Sequence, residues 1–235
     1  MCTVSFVYAN NKVIITSNRD EEVVRLAIPP QNYLINNKNI CFPKDPKAGG
    51  TWYAFDENAS VLVLLNNAAE KHQWNPLYRR SRGLIVLDLI STDSVIKAWN
   101  GIELKNVEPF TLVCYQQEQL HQLRWDGITK QNIPLDATIN HIWSSSTLYS
   151  KEIREQRAHW FYTFLESKPE VSEADMLHFH RYTETQNQEH GLVINRNGKL
   201  KTLSITQSVI EKNKITLLHH DLIEQKEFST TFMQV

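Results

Sequence analysis

The second residue of the chain is a cysteine, and chemistry is expected there if Met1 is removed. Cys2 would then carry a thiol and an α-amine on one residue. A free α-amine has a pKa of about 7.7–8.0 and a free thiol of about 8.5. The thiol can therefore attack a carbonyl near neutral pH while the amine takes its proton. A small side chain after Met1 favours its excision, so we expect the mature chain to begin at Cys2.

A tetrapeptide of polar residues, Asn18-Arg19-Asp20-Glu21, is expected to lie beside Cys2. The segments Thr3–Ala9 and Lys12–Ser17 have the alternating or apolar character of β-strands. Asn10-Asn11 between them suits a tight turn, because asparagine tolerates a positive φ. The resulting hairpin would return the tetrapeptide to the start of the first strand.

The tetrapeptide offers groups that could assist Cys2. Arg19 could lower the pKa of the thiol or bind a substrate carboxylate. Asp20 or Glu21 could accept hydrogen bonds from the α-ammonium group. The alternative is a polar turn with a surface ion pair, which stabilises a protein little.

Three further positions are candidates for substrate contacts. Asn66 follows the apolar run Val61–Leu65, so its amide could line an oxyanion hole or serve as an ordinary turn residue. Ser145 lies in a serine triplet whose hydroxyl groups could donate hydrogen bonds to a substrate or cap the next helix. Trp52, which follows two glycines and Thr51, could form an apolar wall.

The histidines show no metal-ligand spacing, since HExxH and Cys/His zinc patterns are absent from the sequence. GxGxxG, P-loop and GxSxG motifs are also absent. We therefore expect no metal and no cofactor. A histidine or Cys2 could be an axial haem ligand, but the sequence selects none of them.

The element pattern predicts an α+β fold in one domain over residues 1–235. Leu84–Ile90 is predicted to be a buried helix, with a buried strand as the alternative, and Thr92 or Ser94 to cap a short helix through Trp99. The remaining predicted helices are Ser150–Leu165 and a segment from the capping box at Ser172 to Tyr182. The predicted strands flanking these helices are Thr51–Phe55, Val61–Leu65, Phe110–Gln116, Gln119–Trp125, Leu192–Asn195, Leu200–Ile205, Ile215–Leu218 and Phe228–Phe232. Pro29 to Pro46 is predicted to be irregular. This order favours antiparallel sheets covered by helices.

Composition narrows the function classes. The formal net charge is −1, and the cluster of Arg79, Arg80 and Arg82 is short, so we expect no nucleic-acid partner. No apolar run reaches the length of about 18 residues that spans a membrane, and no signal-peptide pattern is present. Three widely spaced cysteines predict no disulfide framework and favour the cytoplasm.

Five short motifs occur in one order along the chain: Met1-Cys2-Thr3, Asn18-Arg19-Asp20-Glu21, Gly49-Gly50-Thr51-Trp52, Leu65-Asn66 and Ser81-Arg82-Gly83. Together they resemble the NRDE family, the family of the transport and Golgi organisation 2 protein. That family is similar to N-terminal nucleophile hydrolases of the choloylglycine hydrolase and penicillin V acylase kind. The resemblance implies a four-layer αββα sandwich of two antiparallel sheets.

The resemblance also implies hydrolysis of a non-peptide C–N bond of a small-molecule amide through a thioester. Cys2 would be the nucleophile, Arg19 and Asp20 would support its amine and thiolate, and Asn66 would hold the oxyanion. In the acylases the arginine precedes the aspartate by three places, whereas Arg19 and Asp20 are adjacent, so Asp20 and Glu21 both stay candidates for the acidic role.

Two other acylase residues lack a clear counterpart in this chain. A later asparagine of the acylases falls near Ser144–Ser146, and a late arginine finds no match near His190. These departures motivate an alternative function, a non-catalytic carrier that binds haem or a lipid in the same pocket.

Overall fold

The computed structural model describes residues 3–70 and 77–233. Within these residues the chain forms fourteen β-strands and four α-helices. The strands are β1 (Thr3–Ala9), β2 (Lys12–Glu22), β3 (Ile28–Ile35), β4 (Lys38–Lys44), β5 (Tyr53–Asp56), β6 (Val61–Asn66), β7 (Phe110–Gln116), β8 (Gln119–Trp125), β9 (Lys130–Leu135), β10 (His141–Ser144), β11 (Asn195–Arg196), β12 (Leu200–Glu211), β13 (Lys214–Asp221) and β14 (Lys226–Met233). The helices are α1 (Arg82–Ile90), α2 (Val95–Gly101), α3 (Lys151–Glu166) and α4 (Glu173–Tyr182).

The chain divides into two compact units, each with one seven-stranded antiparallel sheet. The first unit contains the described residues of Met1–Leu26 together with Thr138–Met233, and the second contains Ala27–Ala137. In the first sheet the strand order is β10-β1-β2-β12-β13-β14, with β11 paired to β12, whereas β3 to β9 follow sequence order in the second. Two antiparallel sheets with helices confirm the predicted α+β class. The single domain over residues 1–235 stays a prediction.

The first hairpin forms as the sequence predicts. Asn10 and Asn11 have φ values of 52° and 58°, the left-handed conformation that a two-residue hairpin turn requires. The register runs from Ala9 opposite Lys12 to Thr3 opposite Asn18. The start of β1 therefore lies beside Asn18, in the second half of β2.

Helices α3 and α4 cover one face of the first sheet. Apolar residues from the hairpin and from both helices form one buried cluster, which consists of Val7, Ile14, Phe161, Val171, Met176, Phe179 and Leu192. The predicted strand Leu192–Asn195 is wrong in extent, because pairing begins only at Asn195. Leu192 packs in the apolar cluster and its carbonyl accepts side-chain hydrogen bonds, so it serves the core rather than a strand.

Each helix of the described chain begins after a serine whose side chain accepts a backbone N–H. These serines are Ser81, Ser94, Ser150 and Ser172. Serine stabilises a helix start because its oxygen satisfies an N–H that has no partner within the helix. At Ser172 the reciprocal bond from Asp175 completes the predicted capping box.

The second sheet corrects the prediction of an irregular segment between Pro29 and Pro46. This segment forms all but the first residue of β3 and the whole of β4, joined by a turn at Asn36 and Asn37 with φ values of 51° and 63°. Proline is tolerated in β3 because this strand lies at the sheet edge and its register shifts between Ile28 and Gln31. The predicted strands around residues 51–65 and 110–125 are confirmed.

A buried ion pair stabilises the second unit. The Lys38 ammonium lies 2.6 Å from a carboxylate oxygen of Asp56, and both side chains are nearly inaccessible to solvent. The same ammonium donates to the carbonyls of Ile90 and Thr92, both at 3.0 Å. It therefore also satisfies carbonyls at the end of α1, where a positive charge is favourable.

Among the described helices, none combines the length and apolar character needed to cross a bilayer.

Candidate active site

The candidate nucleophile, Cys2, lies outside the described residues, which begin at Thr3. Thr3 pairs with Asn18 of β2 on one side and with Ser144 of β10 on the other. The second strand is predicted to end at Ser17, but β2 continues through the tetrapeptide to Glu22. It continues because β12 pairs with β2 as far as Glu22 and satisfies its backbone groups.

The tetrapeptide thus alternates between two faces of a strand rather than forming a polar turn. Asn18 faces α4, since its amide donates to the carbonyl of His180 at 3.1 Å and to that of Leu192 at 2.7 Å. Successive side chains of a strand point to opposite faces. Asp20 therefore shares the helix-covered face with Asn18, whereas Arg19 and Glu21 project to the other face.

Asp20 is a buried carboxylate held by two hydroxyl groups. Tyr149 donates to one oxygen at 2.7 Å and Thr202 donates to the other at 2.5 Å. Only 2% of Asp20 is exposed. Two O–H donors fix the orientation of the carboxylate. The position suits a group that orients an ammonium ion near the start of β1.

Arg19 and Glu21 are both tied to Arg25. Arg19 is buried and donates to the Arg25 carbonyl at 2.9 Å. The Arg25 guanidinium lies 3.3 Å from a Glu21 carboxylate oxygen, and this pair is partly exposed. Glu21 is thus engaged at the rim of the strand, whereas Asp20 is enclosed.

A β-bulge in β12 lies opposite Arg19 and Asp20 of β2. Thr202 pairs with Asp20 and Ser204 with Arg19, so Leu203 is an extra residue in β12. Bulges re-aim side chains and are frequent beside active sites. Here the bulge allows Thr202 to face Asp20 while Ser204 stays in register with Arg19.

Sequence reasoning missed Arg157, a fully buried side chain of α3. Its guanidinium donates to Thr3 Oγ1 at 2.5 Å, to the His190 carbonyl at 3.1 Å and to the carbonyl of Gly191. It also lies 3.5 Å from the centre of the Tyr149 ring. A signal did exist in the sequence, because an arginine four residues before Phe161 falls on the apolar face of an amphipathic helix.

Asn18, His180 and Ser5 form a chain that looks like a catalytic triad. The Asn18 amide nitrogen donates to two carbonyls, so its oxygen accepts from His180 Nδ1, and His180 Nε2 lies 2.8 Å from Ser5 Oγ. All three residues have zero exposure, so no substrate can reach the hydroxyl. Burial first and the Arg157 charge second lower the pKa of His180 to about 3. The neutral imidazole links helix α4 to the sheet.

The serine triplet begins at Ser144, the last residue of β10, in the first unit. Ser145 is buried, its hydroxyl oxygen accepts the backbone N–H of Thr147 at 3.3 Å, and its carbonyl accepts the N–H of Tyr149 at 3.2 Å. Ser145 therefore shapes the turn that presents Tyr149 to Asp20.

Two predicted site residues belong to the second unit. Asn66 ends β6, where it pairs with Phe110 and is partly buried. The next residue, Asn67, has a φ of 75°, and its backbone is fixed by bonds to Pro109 and Thr111. Trp52 is buried, and its carbonyl accepts the N–H of Leu64.

Among the described residues, no three side chains of histidine, cysteine, aspartate or glutamate lie close enough together to hold a metal ion. The ring of His219 is buried on β13 and bonds Thr206 at 2.8 Å. Burial, with His220 and Arg19 as smaller contributions, lowers the pKa of His219 to about 3.

A sequence profile of the family described as Transport and Golgi organisation 2 matches residues 1–208. The chain belongs to this family. No curated protein matches the sequence.

Solved structures with similar folds include hydrolases. The N-acylethanolamine-hydrolyzing acid amidase ortholog of Caenorhabditis elegans has a TM-score of 0.63 at 10% identity, over 88% of this chain and 92% of that one. A cysteine-to-alanine mutant of the conjugated bile acid hydrolase from Clostridium perfringens has a TM-score of 0.57 at 8% identity, over 98% and 92%. An arginine-to-leucine variant of that hydrolase has a TM-score of 0.57 at 7% identity, over 97% and 92%. The likeness shows the fold and confirms the predicted α+β class with two antiparallel sheets.

Two motifs that this Transport and Golgi organisation 2 family member carries in its second unit pack directly on each other. A Cβ atom on Gly50 would lie 2.3 Å from the backbone of Gly83, and one on Gly83 would lie 2.8 Å from the backbone of Thr51. Thr51 also donates its N–H to the Gly83 carbonyl at 3.1 Å. These glycines permit a close backbone approach, so they position the start of α1 and the segment that leads to Trp52.

The other two cysteines of this family member are unsuited to nucleophilic chemistry. Cys41 and Cys114 have zero exposure. Burial raises the pKa of Cys41 to about 12, and burial with a smaller contribution from Asp56 raises that of Cys114 to about 12. Because the thiolate is the reactive form, neither thiol reacts at neutral pH in the folded chain.

Proposed function

We propose that this chain is a cysteine N-terminal nucleophile amidohydrolase that cleaves the C–N bond of a small-molecule amide through a thioester on Cys2. The observation that carries the proposal is the enclosed Asp20 carboxylate, on the strand that pairs with Thr3. Cys2 directly precedes Thr3 in the sequence, and adjacent Cα atoms are about 3.8 Å apart. The known structures with this fold include an acid amidase and a bile acid hydrolase, which supports the reaction class.

The proposed reaction begins after Met1 is removed. The Cys2 α-amine takes the thiol proton, and the sulfur attacks the amide carbonyl carbon to form a tetrahedral oxyanion. The oxyanion collapses, the C–N bond breaks, and the ammonium proton passes to the leaving amine. Water then attacks the thioester with the amine as base, the C–S bond breaks, and the sulfur regains a proton as the acid leaves.

The geometry supports Asp20 over Glu21 as the carboxylate that orients the α-amine. Asp20 is enclosed and its two oxygens are fixed by hydroxyl donors, whereas Glu21 pairs with Arg25 at a partly exposed position. A fixed, desolvated carboxylate orients an ammonium group more strongly than an exposed one, because water screens it less.

The remaining site residues have proposed roles that follow from their chemistry. Arg19 projects from the opposite face of β2 and stabilises the thiolate. The Asn66 amide donates to the oxyanion, a type of contact whose loss typically lowers the rate about 10²–10³-fold. Trp52 supplies an apolar wall for the substrate, and Glu21 and Ser145 bind its polar groups.

The test has two steps, both on the full chain. Intact mass shows whether Met1 has been removed. The chain is then treated with p-nitrophenyl acetate, an ester that acylates a reactive thiol and releases a coloured product. We expect a burst of one equivalent per chain and an acetyl group on Cys2 by peptide mass spectrometry.

The matched variants are Cys2→Ala and Cys41→Ala. Cys2→Ala should abolish the burst, whereas Cys41→Ala should retain it, because the Cys41 thiol is buried and protonated. An equal burst in Cys2→Ala, or a retained Met1 in the active chain, would refute the proposal.

A further inference from the structure

The buried charge of Arg157 has an unusual setting. Its acceptors are one hydroxyl and two backbone carbonyls, and within residues 3–70 and 77–233 no carboxylate oxygen lies within 4.0 Å of its nitrogens. A buried charge without an ion pair is costly, and an apolar side chain of similar volume is often at least as stable. The guanidinium therefore does something that an apolar residue cannot do.

The contacts of Arg157 converge on the proposed site. One nitrogen holds Thr3, the residue after Cys2, and the guanidinium face lies on the ring of Tyr149. The hydroxyl of that tyrosine donates to Asp20 at 2.7 Å. A single cation thus fixes the start of β1 and, through one aromatic ring, the carboxylate assigned to orient the α-amine.

We propose that Arg157 is a positioning residue for the residue-2 amine, acting through Tyr149 on Asp20 and through Thr3 on the start of β1. The inference rests on the proposed function. A cation over an aromatic face draws electron density toward itself, which makes the phenol hydroxyl a stronger donor. The hydrogen bond to Asp20 then moderates how strongly that carboxylate attracts the ammonium proton.

The sign of the effect follows from these charges. Removing the Arg157 cation or the Tyr149 hydroxyl leaves Asp20 with a larger effective negative charge. The ammonium form of residue 2 is then favoured and the amine becomes a base only at higher pH. Both changes should move the acylation rate profile in the same direction.

Other charged groups around this network do not obscure the effect. His180 of α4 lies near Arg157 and is neutral across the relevant range, because burial lowers its pKa to about 3. Arg196 lies 5.3 Å from the centre of the Tyr149 ring and pairs with Glu189 at 3.0 Å. Arg19 projects from the opposite face of β2, and its guanidinium charge stays constant with pH.

The test measures the acylation rate of the full chain by p-nitrophenyl acetate between pH 5 and pH 10. Tyr149→Phe keeps the ring under Arg157 and removes only the hydroxyl, and Arg157→Met removes the charge. We expect each variant to raise the midpoint by about 0.5–1 pH unit, so the rate at pH 7 falls about three- to tenfold. Because both variants act on Asp20 through the Tyr149 hydroxyl, the shift in the double variant should be smaller than the sum of the two single shifts.

The control is Lys151→Met, which removes an exposed charge from the same helix and should leave the midpoint unchanged. If Arg157→Met does not fold, Tyr149→Phe decides the question. A wild-type burst at Cys2 with an unshifted midpoint in folded Tyr149→Phe would overturn this inference and leave the proposed function standing. A wild-type chain without a burst would overturn both.

Discussion

The two units bury their charges in different ways. In the second unit Lys38 and Asp56 form a direct ion pair at 2.6 Å, and the same ammonium satisfies carbonyls at the end of α1. In the first unit Arg157 is held by a hydroxyl, by carbonyls and by an aromatic ring, and Asp20 accepts bonds from Tyr149 and Thr202. Tyr149 lies between these two opposite charges.

This difference distinguishes a charge that stabilises the fold from a charge that can influence a reaction at a nearby site. An ion pair such as that of Lys38 and Asp56 cancels much of its own field, so its effect is confined to the local structure. Hydroxyls and an aromatic face orient a charge without cancelling it. The charge of Arg157 is therefore oriented toward the start of β1, which is where the proposed chemistry takes place.

The largest expected effect on stability comes from breaking the ion pair of the second unit. Lys38→Met leaves the Asp56 carboxylate buried without its counter-charge, which typically costs about 3–5 kcal/mol. Urea denaturation at pH 7 measures the loss. The acylation burst of the molecules that remain folded should keep its rate.

A compensating variant makes this prediction sharper. In Lys38→Met with Asp56→Leu both charges are gone, so much of the lost stability should return even though the carbonyls of Ile90 and Thr92 lose their donor. A Lys38→Met chain as stable as wild type would show that the pair contributes little. A slower burst in folded Lys38→Met would show that the ion pair of the second unit also affects the acylation rate.

The converse variant is Asp20→Asn in the first unit. The side chain keeps its shape but no longer orients an ammonium group, and a positioned general base contributes about 10²–10⁴-fold to a rate. We expect the acylation rate by p-nitrophenyl acetate at pH 7 to fall about 100-fold. The loss of stability should be smaller than in Lys38→Met, because one hydroxyl can still donate to the amide oxygen and the other can accept from the amide nitrogen.

Two neighbouring carboxylates serve as comparisons for Asp20→Asn. Glu22→Gln changes an exposed residue of the same strand and should leave the rate unchanged. Glu21→Gln decides which acid orients the amine. A larger rate loss in Glu21→Gln than in Asp20→Asn would transfer that role to Glu21.

Local sequence signals predicted much of the fold, and one pair of identical signals shows their limit. Asn10-Asn11 and Asn36-Asn37 both form left-handed turns between antiparallel strands. The first was recognised because alternating residues flank it. The second was obscured by the prolines of β3, whose place at a sheet edge follows from tertiary pairing and is invisible in the sequence.

The candidate site was predictable where residues are close along the chain and not where they come from distant elements. The hairpin implied that Asn18–Glu21 lies near the start of β1, and β2 does pair there. Tyr149, Arg157 and Thr202 reach Asp20 and Thr3 over more than 100 residues of sequence. No local periodicity encodes such contacts, although an arginine on the apolar face of α3 indicated a buried partner.

Acid should destabilise the first unit through its two buried histidines. Burial lowers the pKa of His180 and of His219 to about 3, whereas an exposed histidine titrates near 6.5. Below pH 6.5 these histidines bind protons in the unfolded chain but not in the folded chain. The free energy of unfolding therefore falls as the pH drops toward 3. Between pH 7 and pH 5 we expect a loss of about 2 kcal/mol per histidine.

The measurement is urea denaturation at pH 7 and at pH 5, with His219→Gln and His159→Gln as the matched pair. Glutamine at residue 219 can still bond Thr206 but takes up no proton, so the variant should lose about half of the acid-induced destabilisation that the two histidines cause. Exposed His159 lies on the outer side of α3, so His159→Gln should show the same dependence on pH as wild type. Equal acid sensitivity in wild type and His219→Gln would mean that His219 is protonated in the folded chain. A second positive charge would then lie near Arg19, and the acid sensitivity of the first unit would have to come from His180.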